Sequence, residues 1–151
     1  MTHAKTAVVI IFIAMLLALM LSYASLMSTV ERARDDTQRV LDGYCIEKAI
    51  IIYGSIKNGN NQMASAVYTD EFMTKIAEEL GLTLTGNTAT HQSGSNVIFR
   101  YTNPLTANMN SDTLSLTTEF EVVIPVGFAG RNLTEIRVPL KVESVYVLKY
   151  D

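Results

Sequence analysis

Apolar residues are spread along this chain in three different ways, and each way predicts a different element. From Ala7 to about Met27 they run almost unbroken: AVVIIFIAMLLALMLSYASLM contains no charged residue and no proline. From Val30 they recur at steps of three and four, as Val30, Ala33, Thr37, Val40, Leu41, Tyr44 and Cys45, with Lys48, Ile51 and Ile52 extending that face. From Leu82 onward the period falls to two. About 20 apolar residues cross a ~30 Å hydrocarbon core as a helix, the form in which the backbone satisfies itself where lipid offers no partner. The second pattern is the stripe of a one-sided helix. The third is that of half-buried strands with one wet face.

The first run reads as a membrane-spanning anchor. A cleaved signal peptide and a buried core helix are the alternatives. A signal peptide has an apolar stretch of about 7–15 residues followed by a small-residue cleavage site. Here the best such site, Ser22-Tyr23-Ala24, lies inside the run. A core helix of this length needs a larger protein around it. Neither Gly nor Pro occurs from Ala7 through Asp42, so nothing obliges the helix to stop at the membrane surface. It is expected to run from about Lys5 to Ile56, on the order of 75 Å at 1.5 Å per residue. It should end at the turn formers Lys57-Asn58-Gly59-Asn60-Asn61. Glu31–Arg34 and Asp35–Arg39 are spaced to pair along its surface, each worth a few tenths of a kcal/mol. Gly43 is a soft spot, costing about 1 kcal/mol relative to Ala.

Gln62 to Tyr68 is ambiguous. Thr69 or Asp70 can start a short helix through about Leu80, with Phe72, Ile76, Ala77 and Leu80 on its apolar face and Gly81 as its stop. Leu82 and Leu84 begin a strand, and Gly86 to Ser95 reads as a polar loop. Asn96 to Thr102 alternates until Asn103-Pro104 breaks it. Thr113 to Val126 puts Leu114, Leu116, Phe120, Val122 and Ile124 on one face and Ser115, Thr117, Glu119 and Glu121 on the other. Leu133 to Tyr150 opposes Ile136, Val138, Leu140, Val142, Tyr146 and Leu148 to Glu135, Arg137, Lys141 and Glu143. Gly127 to Asn132 joins these two as a long antiparallel hairpin. Pro139 marks an edge strand or bulge, and Val145 and Val147 suggest that both faces are covered near the C-terminus. The expected fold is α+β: a long N-terminal helix, transmembrane in its first half, packed on a three- to four-stranded antiparallel sheet, with one short extra helix. The segments are a tail (1–6), the transmembrane helix (7–28), its continuation (29–57) and a helix-plus-sheet domain (58–151).

The chain has 151 residues, and about 120 remain beyond the anchor, enough for one modest core. Net charge is −3, with no basic run, which disfavours nucleic acid as a partner. Cys45 is the sole cysteine, so it forms no intrachain disulfide; a small buried hydrophobe is its ordinary role, an intermolecular disulfide the alternative. His3 and His91 are the only histidines, and no cluster has metal-ligand spacing. Asp35-Asp36 points two ways on a helix, Ser93-Gly94-Ser95 lacks a nucleophile-elbow pattern, and the glycines form no phosphate-cradling loop. Asn132-Leu133-Thr134 is a glycosylation sequon, meaningful only in a cell that glycosylates. No catalytic residue, cofactor, metal or small-molecule substrate is expected, and an anchored enzyme is the least favoured class. Taken literally, Arg32, Arg34 and Arg39 against Lys5 would hold the domain in the cytoplasm; its polar, β-rich, Cys-poor make-up favours the outside.

Within the span, Ala14, Ala18 and Ser22 stand four apart, a small-xxx-small series of the kind that packs helix on helix. They are the candidate subunit-packing residues. The N-terminal span, its continuation ERARDDTQRVLDGYCIEKAI and the terminal hairpin TLSLTTEFEVVIPVGFAG…TEIRVPLKVESVYVLKY together resemble the pilin-like proteins, closest to the TadE-like minor pilins of tight-adherence or conjugation-associated systems. The resemblance covers nearly the whole layout. It implies an anchored extracytoplasmic subunit without enzymatic activity, in a surface filament or its assembly machine. Its implied partners are membrane lipid, copies of itself or other pilin-like subunits, and secretion or conjugation components. A single-copy accessory module of such a machine is the alternative. Two features depart from the family pattern. His3-Ala4-Lys5-Thr6 is a poor leader-cleavage site, and no Glu precedes Glu31.

Overall fold

The computed structural model describes residues 2–59, 69–86, 88–93, 96–110, 113–128 and 131–148. The ambiguous stretch Gln62–Tyr68 lies outside the described residues. Helix α1 spans Thr2–Lys57, starting inside the expected tail. The chain divides into two compact units, Met1–Arg32 and Ala33–Asp151.

In the first unit α1 stands alone, its apolar side chains outward from Val8 to Tyr23. The second unit is α+β. It contains the remainder of α1, helix α2 (Thr69–Leu80) and strands β1 (Thr83–Thr85), β2 (Thr88–Ser93), β3 (Asn96–Asn110), β4 (Thr113–Phe128) and β5 (Arg131–Val147). The strands form one antiparallel sheet in sequence order.

Helix α1 passes through Gly43 unbroken and ends where the turn formers begin. Asn58 N–H still reaches Gly54 C=O at 3.2 Å, and Gly59 closes the end at φ 76°, a conformation glycine adopts without strain. Its buried stripe is the expected one from Ala33 through Cys45, with Val30 only partly buried, then drifts round the helix. Lys48, Ala49 and Ile52 are buried, whereas Ile51 is 47% exposed. At ~100° per residue Ile51 points the same way as Ala33, while Ala49 and Ile52 point ~100–160° further round. The drift follows α1 along the sheet: Gln38 donates to Glu143 C=O (3.0 Å), and Cys45 lies beside Ser144 C=O (3.9 Å), so α1 and β5 run in the same direction.

Helix α2 buries Phe72, Met73, Ile76 and Ala77, with Asp70 and Glu71 in the first turn, where the helix dipole favours acids. Its end is a Schellman motif: Gly81 sits at φ 63° and Leu82 N–H reaches back to Ala77 C=O at 2.8 Å.

The sheet has five strands among the described residues, and the extra one is a correction. The stretch Gly86–Ser95, expected as a polar loop, contains β2. Thr85 pairs with Thr88 across a turn that opens on Gly86 at φ 60°, Ala89 is fully buried, and β-branched threonines flank it. Asn103-Pro104 does not end β3. The register shifts on both sides of Asn103 and pairing with β4 resumes at Thr106. Among the described residues β2 pairs with β3 only as far as Tyr101, and Pro104 falls between Asn103 and Thr106, at a register shift where no ladder pair with β4 is formed.

The β4–β5 hairpin runs from Thr113↔Val147 to Phe128↔Arg131, a tighter join than the expected loop. Strand β5 is an edge, and Pro139 lies in it as anticipated. Leu114, Leu116, Phe120 and Val122 are buried on one face of β4. The opposite face is polar from Ser115 to Glu121, where Ser115 Oγ donates to Glu143 (2.7 Å) and Lys141 faces Glu119 (3.9 Å), but Val123 on that same face is buried. On β5 burial holds at Val142, Ser144 and Leu148 but weakens at Ile136 and Tyr146, each 40% exposed. The second covered face expected near the C-terminus is absent from the described residues: Val145 and Val147 are 57% and 52% exposed.

Candidate membrane anchor and subunit-packing stripe

The helical segment of the first unit carries an 18-residue window of mean hydropathy 2.7, none of it buried. It is long and apolar enough to cross a membrane, and it is not the core helix of a folded domain. Ala14, Ala18 and Ser22 all lie exposed on it. Four residues advance a helix by ~40° beyond one turn, so the three form a narrow, slowly turning stripe. Ser22 Oγ donates to Ala18 C=O at 2.8 Å, and Thr29 Oγ1 does the same to Ser25 C=O at 2.9 Å. Hydroxyls bonded back onto their own helix need no water, so they are compatible with hydrocarbon.

The second unit concentrates its charge chemistry between α1 and α2. Lys48, placed by its spacing on the apolar face, is buried there with 6% of its side chain exposed. Its Nζ donates to both carboxylate oxygens of Glu71, at 2.8 and 2.7 Å. Lys75 Nζ binds Glu47 at 2.5 Å in the reverse sense, from α2 to α1. Both ammonium groups flank the Tyr44 ring, 5.1 and 5.8 Å from its centroid, and Phe72 tilts against that ring at 5.3 Å. The hydrogen bond from Lys75, reinforced by its charge, holds Glu47 below the usual carboxylate range. Sequence reasoning put Lys48 on the apolar face, did not single out Glu47 or Lys75, and missed the pairing. The available signal was a lysine on an apolar stripe and a glutamate opening the next helix.

Cys45 is buried, its thiol 3.9–4.0 Å from the Ser144 and Leu114 carbonyls. Burial pushes its pKa up, Asp42 adds to this, and the hydrogen bond to Ser144 opposes it. That is the small-hydrophobe role. Tyr101 stacks on Phe120 at 4.8 Å and hydrogen-bonds Thr37 Oγ1, which donates to Ala33 C=O at 2.7 Å. Burial raises the Tyr101 phenol well above its ordinary value. Thr118 Oγ1, on the helix-facing side of β4, is buried without a hydrogen-bond partner.

One open groove of about 250 Å³ lies between Ala49, Ile50 and Tyr53 of α1 and Tyr146, Val147 and Leu148 at the end of β5. Among the described residues no group of three or more His, Cys, Asp or Glu is arranged to hold a metal. Compared with protein-family models, curated proteins and solved structures, the chain matches none.

Proposed function

We propose that this chain is a pilin-like, membrane-anchored structural subunit of a surface filament or of its assembly machine. The observation that carries the reading is the wholly exposed apolar helix of the first unit, continuous in sequence with a compact α+β unit. The layout supports it: span, one-sided helical continuation and terminal hairpin, as in TadE-like minor pilins. On this reading Ala14, Ala18 and Ser22 line the contact between neighbouring spans, where small residues let backbones approach closely. The α+β unit lies outside the cell and meets other subunits or components of a secretion or conjugation machine.

The test is electron microscopy of material sheared from cells expressing the chain with its neighbouring genes, labelled by antibody to the α+β unit. Label along filaments is the expected result. Label confined to membranes, with filaments present but unlabelled, would replace polymerisation by a single-copy accessory role. Extraction of the chain by alkaline carbonate would remove the anchor itself.

A further inference from the structure

The rim of the α1–β5 groove is charged in a pattern that a second copy completes. On α1, at the approach to the groove, Asp35 and Asp36 are exposed, then Arg39 one turn on. Along the neighbouring edge of β5 come Lys141 and then Glu143, also exposed, on the sheet face turned away from α1. Because α1 and β5 run in the same direction and Gln38 is bonded to Glu143, the two series share a level. Acid precedes base on the helix, and base precedes acid on the strand. Beyond the charges both elements turn apolar: Ile46, Ile50 and Tyr53 are 48%, 65% and 42% exposed, and Tyr146 and Val147 are 40% and 52% exposed.

We infer that this face takes a second copy of the same chain, related by a two-fold axis running along α1. That axis preserves level. It sets Asp35 and Asp36 against the second copy's Lys141, and Arg39 against the second copy's Glu143, with each contact made twice. It also lays Ile50 and Tyr53 over the second copy's Tyr146 and Val147, closing two grooves into one apolar seam. An axis across the helix would set charges against apolar residues. Of the groups to be recruited, Arg39 and Lys141 are loosely held, 3.9 Å from Asp36 and Glu119, while Glu143 exchanges its 2.7 Å bond from Ser115 for the second copy's Arg39. The contact uses side chains, because proline and alternating charge on β5 discourage strand addition. Five half-exposed apolar side chains are fewer than the roughly 20–30 residues a side of a stable dimer, so the pairing is weak in dilute solution. It depends on the concentration that a shared membrane gives anchored copies, and in that respect alone it rests on the anchored-subunit reading.

The experiment uses the full chain in lipid vesicles, with two differently tagged copies co-reconstituted, one carrying Ile50→Cys and the other Tyr146→Cys. Mild oxidation is expected to give the mixed disulfide in at least several-fold greater yield than an Ile50→Cys with Leu84→Cys pair, whose second site is on the far edge of the sheet. Added to the Ile50→Cys copy, Arg39→Glu lowers that yield. Glu143→Arg in the Tyr146→Cys copy restores it. Equal yields for the two cysteine pairs, or no restoration by the charge swap, overturn the contact. If the protein floats with the vesicles in those runs, the anchor reading stands although the contact fails. If it does not float, the anchor reading is what has failed.

Discussion

Lys48 and Glu71 are partners of unequal standing, and removing them one at a time should give unequal losses. The ammonium is almost completely enclosed, whereas the carboxylate keeps 43% of its side chain in water. Glu71→Ala leaves a buried cation whose two carboxylate bonds are gone. Breaking a buried pair in this way costs about 3–5 kcal/mol. The vacated, half-open side admits water, so the figure falls to about 2–3 kcal/mol once screening is allowed for. Lys48→Met removes the charge itself and keeps the length of the apolar stem. Glu71 then turns outward, and what remains is the lost cation–π contact with Tyr44, about 0.5–1 kcal/mol. Pulse proteolysis of the full chain in detergent micelles across a urea series reads both. With m near 1.5 kcal/mol/M, Glu71→Ala should lower the midpoint by roughly 1.3–2 M and Lys48→Met by under about 0.7 M. The double variant should match Lys48→Met, since no cation is left to strand. A larger loss for Lys48→Met than for Glu71→Ala would refute the reasoning, because it would mean that attraction outweighs desolvation at this site.

Thr118→Val should stabilise the fold by about 1 kcal/mol, because it replaces an unpartnered buried hydroxyl with a methyl; a lower urea midpoint would show that the hydroxyl is bonded after all. Cys45 in the folded protein should resist maleimide at pH 7.5 and react once urea unfolds the chain, so prompt native labelling would contradict its burial. Because the Tyr101 phenol titrates higher folded than unfolded, its contribution is complete below about pH 10 and lost as pH climbs beyond that. Tyr101→Phe should flatten this alkaline loss while costing about 1 kcal/mol at neutral pH through the lost Thr37 bond, as read by urea midpoints at pH 8 and 11. A Cβ at Gly43 meets nothing within 4 Å, so Gly43→Ala should add about 0.5–1 kcal/mol by helix propensity, and a loss would mean that the helix flexes there.

Period alone carried much of the fold. The step of three and four put Tyr44 and Cys45 in the core, and the step of two put Leu114, Leu116 and Phe120 beside them, because those stretches each have one partner surface. It failed where the surface changes. Ile51 is exposed because burial rotates around α1 as that helix follows the sheet. Strand β2 was hidden because its inward residue is only an alanine, and β3 continued past Pro104 because the proline falls at a shift in register where it has no ladder partner on β4. The span and its Ala14–Ala18–Ser22 stripe were legible as composition. The Lys48–Glu71 and Lys75–Glu47 pairs were not, since both depend on which face of α2 meets α1.

Among the described residues the sheet ends on one side in a strand of three residues, β1, and on the other in a long strand that carries Pro139 among exposed Glu135, Arg137, Lys141 and Glu143. Sheets with open, apolar borders template one another, and confining many copies to a membrane multiplies their encounters. A border of this kind gives such encounters no template to extend. Crowding can then be tolerated without the copies merging into fibrous aggregates, and whatever order they adopt has to come from surfaces that fit one another.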